Sequence, residues 1–250
     1  MGRVLDTLRR WVRASGYDLK RFAPLENPHL RRQAVLASHG VELVIDGGAN
    51  RGQYALRLRE FGYTGRIVSI EPGRAAYARL SEAARDDADW TTRRAALGRE
   101  AGRAELLVSA NSVSSSLFAA CASDDPGRAV VAREPVEVVT LEALLREERA
   151  GVARCLVKLD LQGAEMDALD GAGADLAKCE LLEVELAFEP VYEGQSTALF
   201  VLEQLAQRGF DLVGVAPNTL DPANGHLVEI DALLARRHDG ADAARSFEPG

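Results

Sequence analysis

The stretch VELVIDGGANRGQYALRLREFG, residues 41–62, limits the folds open to this chain more than any other. VELVID (41–46) has the length and apolar character of a buried strand, and Gln53–Phe61 carries the apolar spacing of a helix. Residues 47–52, between them, include three glycines and an Asn. Strand, tight turn and helix in that order form one unit of a parallel sheet covered by helices.

The alternation continues along the chain. RIVSIE (66–71) reads as a second strand, and an Ala/Arg/Leu-rich helix follows over 73–85. TTRRAAL (91–97) and AELLVS (104–109) read as a third strand and an extra one. PVEVV (135–139) is another short strand, and Thr140 is placed to cap the helix LEALLREER. CLVKLD (155–160) and LLEVEL (181–186) are strands separated by a small helix, and 198–208 is a helix. DLVGV and HLVEI, joined by the Pro/Asn/Gly-rich APNTLDPANG, have the look of an antiparallel pair at the sheet edge. The expectation is one α/β domain with an N-terminal helical extension and a frayed tail.

Charge and cysteine content narrow the partners. The net charge of −8 argues against nucleic acid as the main partner, which requires a basic face. Cys121, Cys155 and Cys179 lack zinc-ligand spacing and read as reduced thiols of a cytoplasmic protein. No apolar run reaches spanning length, and no signal-peptide core is present. Val4, Leu5, Leu8, Trp11 and Val12 share one helical face, beside Arg3, Arg9, Arg10, Arg13, Lys20 and Arg21. A helix packed over the domain edge is the favoured reading, and a membrane-surface helix the alternative.

In open α/β sheets, ligands bind beyond the carboxyl ends of the strands, where helix N-termini offer free N–H groups. A dinucleotide fingerprint would place glycines at 47, 49 and 52, but position 49 is Ala. The other register is acid-x-Gly-x-x-x-Gly: Asp46, Gly48 and Gly52, with Asn50 between. An acidic head suits a ligand bearing an ammonium group, which favours S-adenosylmethionine. Glu71, ending the second strand, is placed to accept both ribose hydroxyls of an adenosine. Ala49, Gln53, Pro72, Ala95 and Asp160 complete the expected cofactor contacts. A nicotinamide enzyme of the short-chain type would need Tyr-x-x-x-Lys, and no tyrosine has that partner.

Asp160, Gln162 and Glu165 lie at the same sheet edge, and Glu183 and Glu185 share one face of the next strand. Methyl transfer to an alcohol needs a base. His29, His39, His226 and His238 fall in flanking positions, so Asp160 and Glu185 are the candidates. A divalent ion held by clustered carboxylates is a second option. Lys158 is either a cation near the site or a salt-bridge partner. SANSVSSSLF (109–118) reads as a turn-rich loop rather than a source of chemistry. Gln162, Tyr192 and Gln195 are the candidates for holding a hydroxylated substrate.

VIDGGANRGQYA, SIEP, NSVSSSL, VKLDLQGAEMDAL and ELAFEPVYEGQS, in this order, resemble the FkbM family of methyltransferases over about residues 30–237. The resemblance implies a class I methyltransferase fold, Rossmann-like, with a mostly parallel seven-stranded sheet whose last strand is antiparallel. It implies O-methylation of a hydroxyl on a sugar, glycolipid or polyketide-type natural product. The expected organisation is an extension over 1–35, a cofactor-binding domain over 36–237 and a flexible tail over 238–250. Gly47 stands where family members often carry Val. Two other functions stay open at this stage: an NAD(P)-dependent oxidoreductase and a non-catalytic adenosine-binding domain. A homo-oligomer is also left open.

Overall fold

The computed structural model describes residues 2–17, 19, 23–122, 125–149 and 151–238. The expected tail therefore lies, past His238, outside the described residues. Helix α1 (Gly2–Ala14) opens the chain and α2 (Pro28–Ser38) follows. The Asn27 side chain caps α2 by accepting from the His29 and Leu30 amides, at 3.0 and 3.2 Å, with Pro28 at the first helical position. This helix runs across the 35/36 boundary and buries Leu36, so its second half belongs to the core.

A seven-stranded sheet follows in the spatial order β3-β2-β1-β7-β8-β10-β9. Its members are β1 (Leu43–Gly47), β2 (Arg66–Ile70), β3 (Trp90–Arg93), β7 (Cys155–Leu159), β8 (Leu181–Ala187), β9 (Phe210–Leu220) and β10 (Leu227–Arg236). β10 runs antiparallel to both of its neighbours, β8 on one side and β9 on the other. Helices α3 (Gln53–Glu60), α4 (Arg74–Ala84), α5 (Leu141–Glu148), α6 (Glu165–Asp170) and α7 (Ala198–Gln207) connect these strands. The central strands β1 and β7 are buried at every position, which matches their uninterrupted apolar sequence. One core cluster holds Leu43, Ile45, Val157 and Leu182, and another holds Val44, Ile67, Leu156 and Leu181. Alternate residues of the same strands thus feed opposite layers. Thr140 caps α5 as expected, its hydroxyl accepting from the Ala143 amide at 3.2 Å.

The expected strands around 91–109 are rearranged. TTRRAAL is split between β3 and the two-residue β4 (Ala96–Leu97). β4 joins a separate three-stranded sheet with β5 (Gly102–Ser109) and β6 (Val130–Val139), in the order β4-β6-β5. APNTLDPANG is a connecting loop only in its second half, because β9 continues through Pro217 and Asn218 to Leu220. β9 is the sheet edge, where a proline's missing N–H is tolerated. The exposed N-terminal helix is the other departure. Leu8 and Trp11 are 49% and 77% exposed, so these two side chains are not buried over the domain edge.

Candidate active site

The carboxyl ends of β1, β2, β7 and β8 open onto a cleft of about 320 Å³. Gly48 has φ +73°, and a Cβ there would fall 1.8 Å from the Asp160 carbonyl oxygen. No other residue allows β1 to turn this close to the end of β7. Asn50, at φ 48°, continues the left-handed turn, and its amide donates to Glu71 Oε2 at 2.9 Å. The Gly73 amide donates to Glu71 Oε1 at 2.8 Å. Both oxygens keep further lone pairs, and Glu71 lines the cleft. Burial pushes its carboxyl up to about 7, against the lowering effect of the two amides. Ala49, Asn50, Gln53, Pro72, Ala95 and Asp160 line the same cleft.

Two expected cofactor contacts lie beneath this surface. Asp46 is 0% exposed and does not line the cleft, so it does not meet a ligand's ammonium directly. Its Oδ2 accepts from Ser69 Oγ at 3.0 Å, and its Oδ1 lies 3.3 Å from Lys158 Nζ. Gly52 is also outside the lining; it packs on Trp90, whose ring would meet an added Cβ at 2.8 Å. Gly47, where the family often has Val, is explained by Leu97: a Cβ would come within 2.6 Å of Leu97 Cδ1.

Lys158 has both roles that the sequence left open. It lines the cleft, and its ammonium sits 3.3 Å from Asp46 and 3.3 Å from Asp160. It also donates to the Gly48 and Gly47 carbonyls, at 3.2 and 3.3 Å, tying the glycine turn to the end of β7. Burial disfavours its charge, but Asp160, Asp46 and Glu185 outweigh that and raise its pKa.

Asp160 and Glu185 meet across Gln162. The Gln162 side-chain amide donates to Asp160 Oδ1 at 2.9 Å and to Glu185 Oε2 at 2.6 Å. Burial alone would raise Asp160, yet the Lys158 cation and hydrogen bonds hold its carboxyl below the ordinary range. Burial and the charge of Asp160 push Glu185 well up. The two acids are driven in opposite directions by their surroundings. Asn218, on β9, donates to Glu185 Oε1. Sequence reasoning missed it because its surroundings had the composition of a loop.

The three expected substrate contacts divide. Gln162 lines the cleft, but Tyr192 and Gln195 do not. Tyr192 is 1% exposed, and its hydroxyl donates to Gln162 Oε1 at 2.7 Å. Gln195 Oε1 accepts from the Val191 and Tyr192 amides at 2.7 and 3.2 Å, so it shapes the turn. Gln162 itself has φ 53°, a strained backbone for a non-glycine residue.

The cleft is also lined by residues that the strand pattern did not single out. Arg32 of α2 forms a bidentate pair with Glu183 of β8, and Tyr54 Oη donates to the same carboxylate at 2.8 Å. Glu183 and Glu185 do share a face, as alternation required, and both line the cleft. His29 lines it too, against the expectation that every histidine lay in a flanking position. Ser112, Val113, Ser115 and Ser116 line the cleft as well, so the serine loop forms part of its wall. Ser116 Oγ donates to the Gln162 carbonyl at 2.6 Å. Among the described residues, no group of three or more His, Cys, Asp or Glu is placed to hold a metal.

A seven-stranded sheet in this order, with one antiparallel strand inserted beside the edge, and a cleft at the strand ends define a class I methyltransferase fold. The chain belongs to the FkbM methyltransferase family: residues 46–212 match the methyltransferase FkbM domain. The matched segment is that family's methyltransferase domain. Solved structures with a similar course include an FkbM methyltransferase from Methylobacillus flagellatus KT, 17% identical with a TM-score of 0.48. The match covers 77% of this chain and 43% of that one, so this chain spans less than half of the Methylobacillus protein's length. An rRNA methylase from Streptococcus thermophilus is 12% identical over 88% of this chain and 100% of that one, with a TM-score of 0.47. A Streptococcus pneumoniae protein described as a tRNA methyltransferase, in complex with S-adenosylmethionine, is 11% identical over 85% and 75%, with a TM-score of 0.47. No curated protein matches the sequence.

Proposed function

We propose that the chain is an O-methyltransferase acting on a hydroxylated small molecule, such as a sugar, glycolipid or polyketide-type product. The observation that carries this reading is the Lys158–Asp160–Gln162–Glu185 cluster on the cleft wall beside the glycine turn. S-adenosylmethionine, when bound, supplies a methyl group on a positively charged sulfur, ready for in-line displacement.

The chain's residues fit that cofactor. Gly48 leaves backbone space where any side chain would collide with β7. Glu71 presents carboxylate lone pairs for the ribose hydroxyls, and Pro72 and Ala95 line the neighbouring wall. Asp160, kept ionised by Lys158, takes the proton from the acceptor hydroxyl. Gln162, held by Tyr192, fixes the Asp160 carboxylate in place and links it to Glu185. An acceptor seated between these groups gains mainly from orientation. The net charge of −8 and the carboxylates on the cleft wall favour a small hydroxylated acceptor over a polyanionic nucleic acid.

The test pairs binding with turnover. Calorimetry with S-adenosylhomocysteine, with NAD as control, is expected to give binding to the former alone. Asp160→Asn is expected to lower kcat by about 10²–10⁴-fold once an acceptor is found, the range for a positioned base. An Asp160→Asn enzyme that folds and turns over at the normal rate would remove this residue from the chemistry.

A further inference from the structure

We infer that α1 is an anionic-membrane anchor, lying flat in the headgroup region of a lipid surface. The first 21 residues carry six basic and two acidic side chains, although the whole chain has a net charge of −8. The basic excess is confined to a short segment attached to an acidic body, which is the charge complement of an anionic surface. Within α1, Leu8, Trp11 and Val12 follow helical spacing on one side, and Arg9, Arg10 and Arg13 lie on the other.

Among the described residues, the large apolar side chains of this side stand in the open. Leu8 is half exposed and Trp11 more than three-quarters exposed. Tyr17, Leu19 and Leu25, just beyond the helix, are exposed as well. A soluble chain rarely leaves a Trp, a Tyr and three leucines exposed within eighteen residues unless they face a partner. Aromatic residues beside arginines suit the boundary between acyl chains and headgroups. Thirteen helical residues span about 20 Å, too short to cross a bilayer but long enough to lie along one. No helix among the described residues is long and apolar enough to cross a membrane.

The arrangement has a use for the cleft. Leu25 is four residues before His29, and His29 and Arg32 of α2 line the cleft. Anchoring α1 would therefore hold the cleft close to acceptors that reside in or on the bilayer.

The test is flotation of the full chain with vesicles of phosphatidylcholine containing a quarter phosphatidylglycerol, against pure phosphatidylcholine. Binding to the anionic vesicles, weakened by 0.5 M salt, is expected. The only other tryptophan, Trp90, is buried, so a blue shift in emission on vesicle addition reports Trp11. The variants Trp11→Glu and Arg10→Glu/Arg13→Glu are each expected to lower vesicle affinity about tenfold or more while leaving S-adenosylhomocysteine binding intact. No binding to anionic vesicles at low salt would overturn the inference, as would binding that survives both variants. Light scattering that finds a vesicle-free dimer dispersed by Trp11→Glu would also overturn it, giving the face to a second copy. Capture of a single-stranded oligonucleotide in place of vesicles, lost in Arg10→Glu/Arg13→Glu, would give the basic side to nucleic acid instead.

Discussion

In the proposed function, Glu71 both braces the glycine turn and receives the ribose of the cofactor. Its oxygens already accept from the Asn50 and Gly73 amides, so it braces the glycine turn before any ligand arrives. Its remaining lone pairs face the cleft, and burial pushes its carboxyl up to about 7. The ionised form is the better acceptor for two ribose hydroxyls. Affinity for S-adenosylhomocysteine is therefore expected to be full well above pH 7 and to decline as pH falls through it. Between pH 8 and pH 6 the dissociation constant is expected to rise about tenfold, one proton's worth, when measured by calorimetry. Glu71→Gln should flatten that dependence. Glu71→Ala should weaken binding by about ten- to a hundredfold at pH 8, as expected for lost hydrogen bonds to a charged acceptor. A flat wild-type profile would mean that Glu71 does not contact the cofactor.

At the scale of the element, α5 offers a simple check on the local reading. Thr140 caps it with one hydrogen bond, and Leu141, Leu144 and Leu145 bury its inner face. Thr140→Ala should cost about 1 kcal/mol, lowering Tm by about 2–4 °C in a thermal melt. The helix should persist, because burial rather than the cap carries most of its stability. Elements of this kind were legible in the sequence because apolar period, cap and glycine turn agreed locally. That agreement placed β1, β2, β7 and β8, and with them Glu71, Asp160 and Glu185. It did not reveal the burial of Asp46, which depends on Lys158 reaching from β7 to neutralise it. Asn218 was hidden because Pro217 and Asn218 carry turn chemistry, and only the edge position of β9 lets a strand include them. Arg32 and His29 reach the cleft through the tertiary packing of α2, which leaves no periodic mark.

Over the whole molecule, the two apolar layers, the glycine turn and the cleft are tied to the same central strands. A ligand that binds only the folded cleft should therefore stabilise the entire fold. S-adenosylhomocysteine at a hundredfold excess over its dissociation constant contributes roughly 2.7 kcal/mol, a rise in Tm of about 5–10 °C. Glu71→Ala at the same ligand concentration should show a much smaller rise. An increase in Tm for NAD alone would instead support a nucleotide oxidoreductase.

The insertion of β10 between β8 and β9 also dictates the order in which this protein can be finished. β8 is buried at all but one position, yet its outer hydrogen-bonding edge has no partner until β10 arrives from later in the chain. β9 joins the sheet through β10, its one neighbour among the described strands. While the chain emerges from a ribosome, an apolar strand edge thus waits through the forty or so residues between β8 and β10. Any truncation that removes β10 strands both neighbours at once and leaves the Glu185 side of the cleft unbuilt, however complete the glycine turn may be.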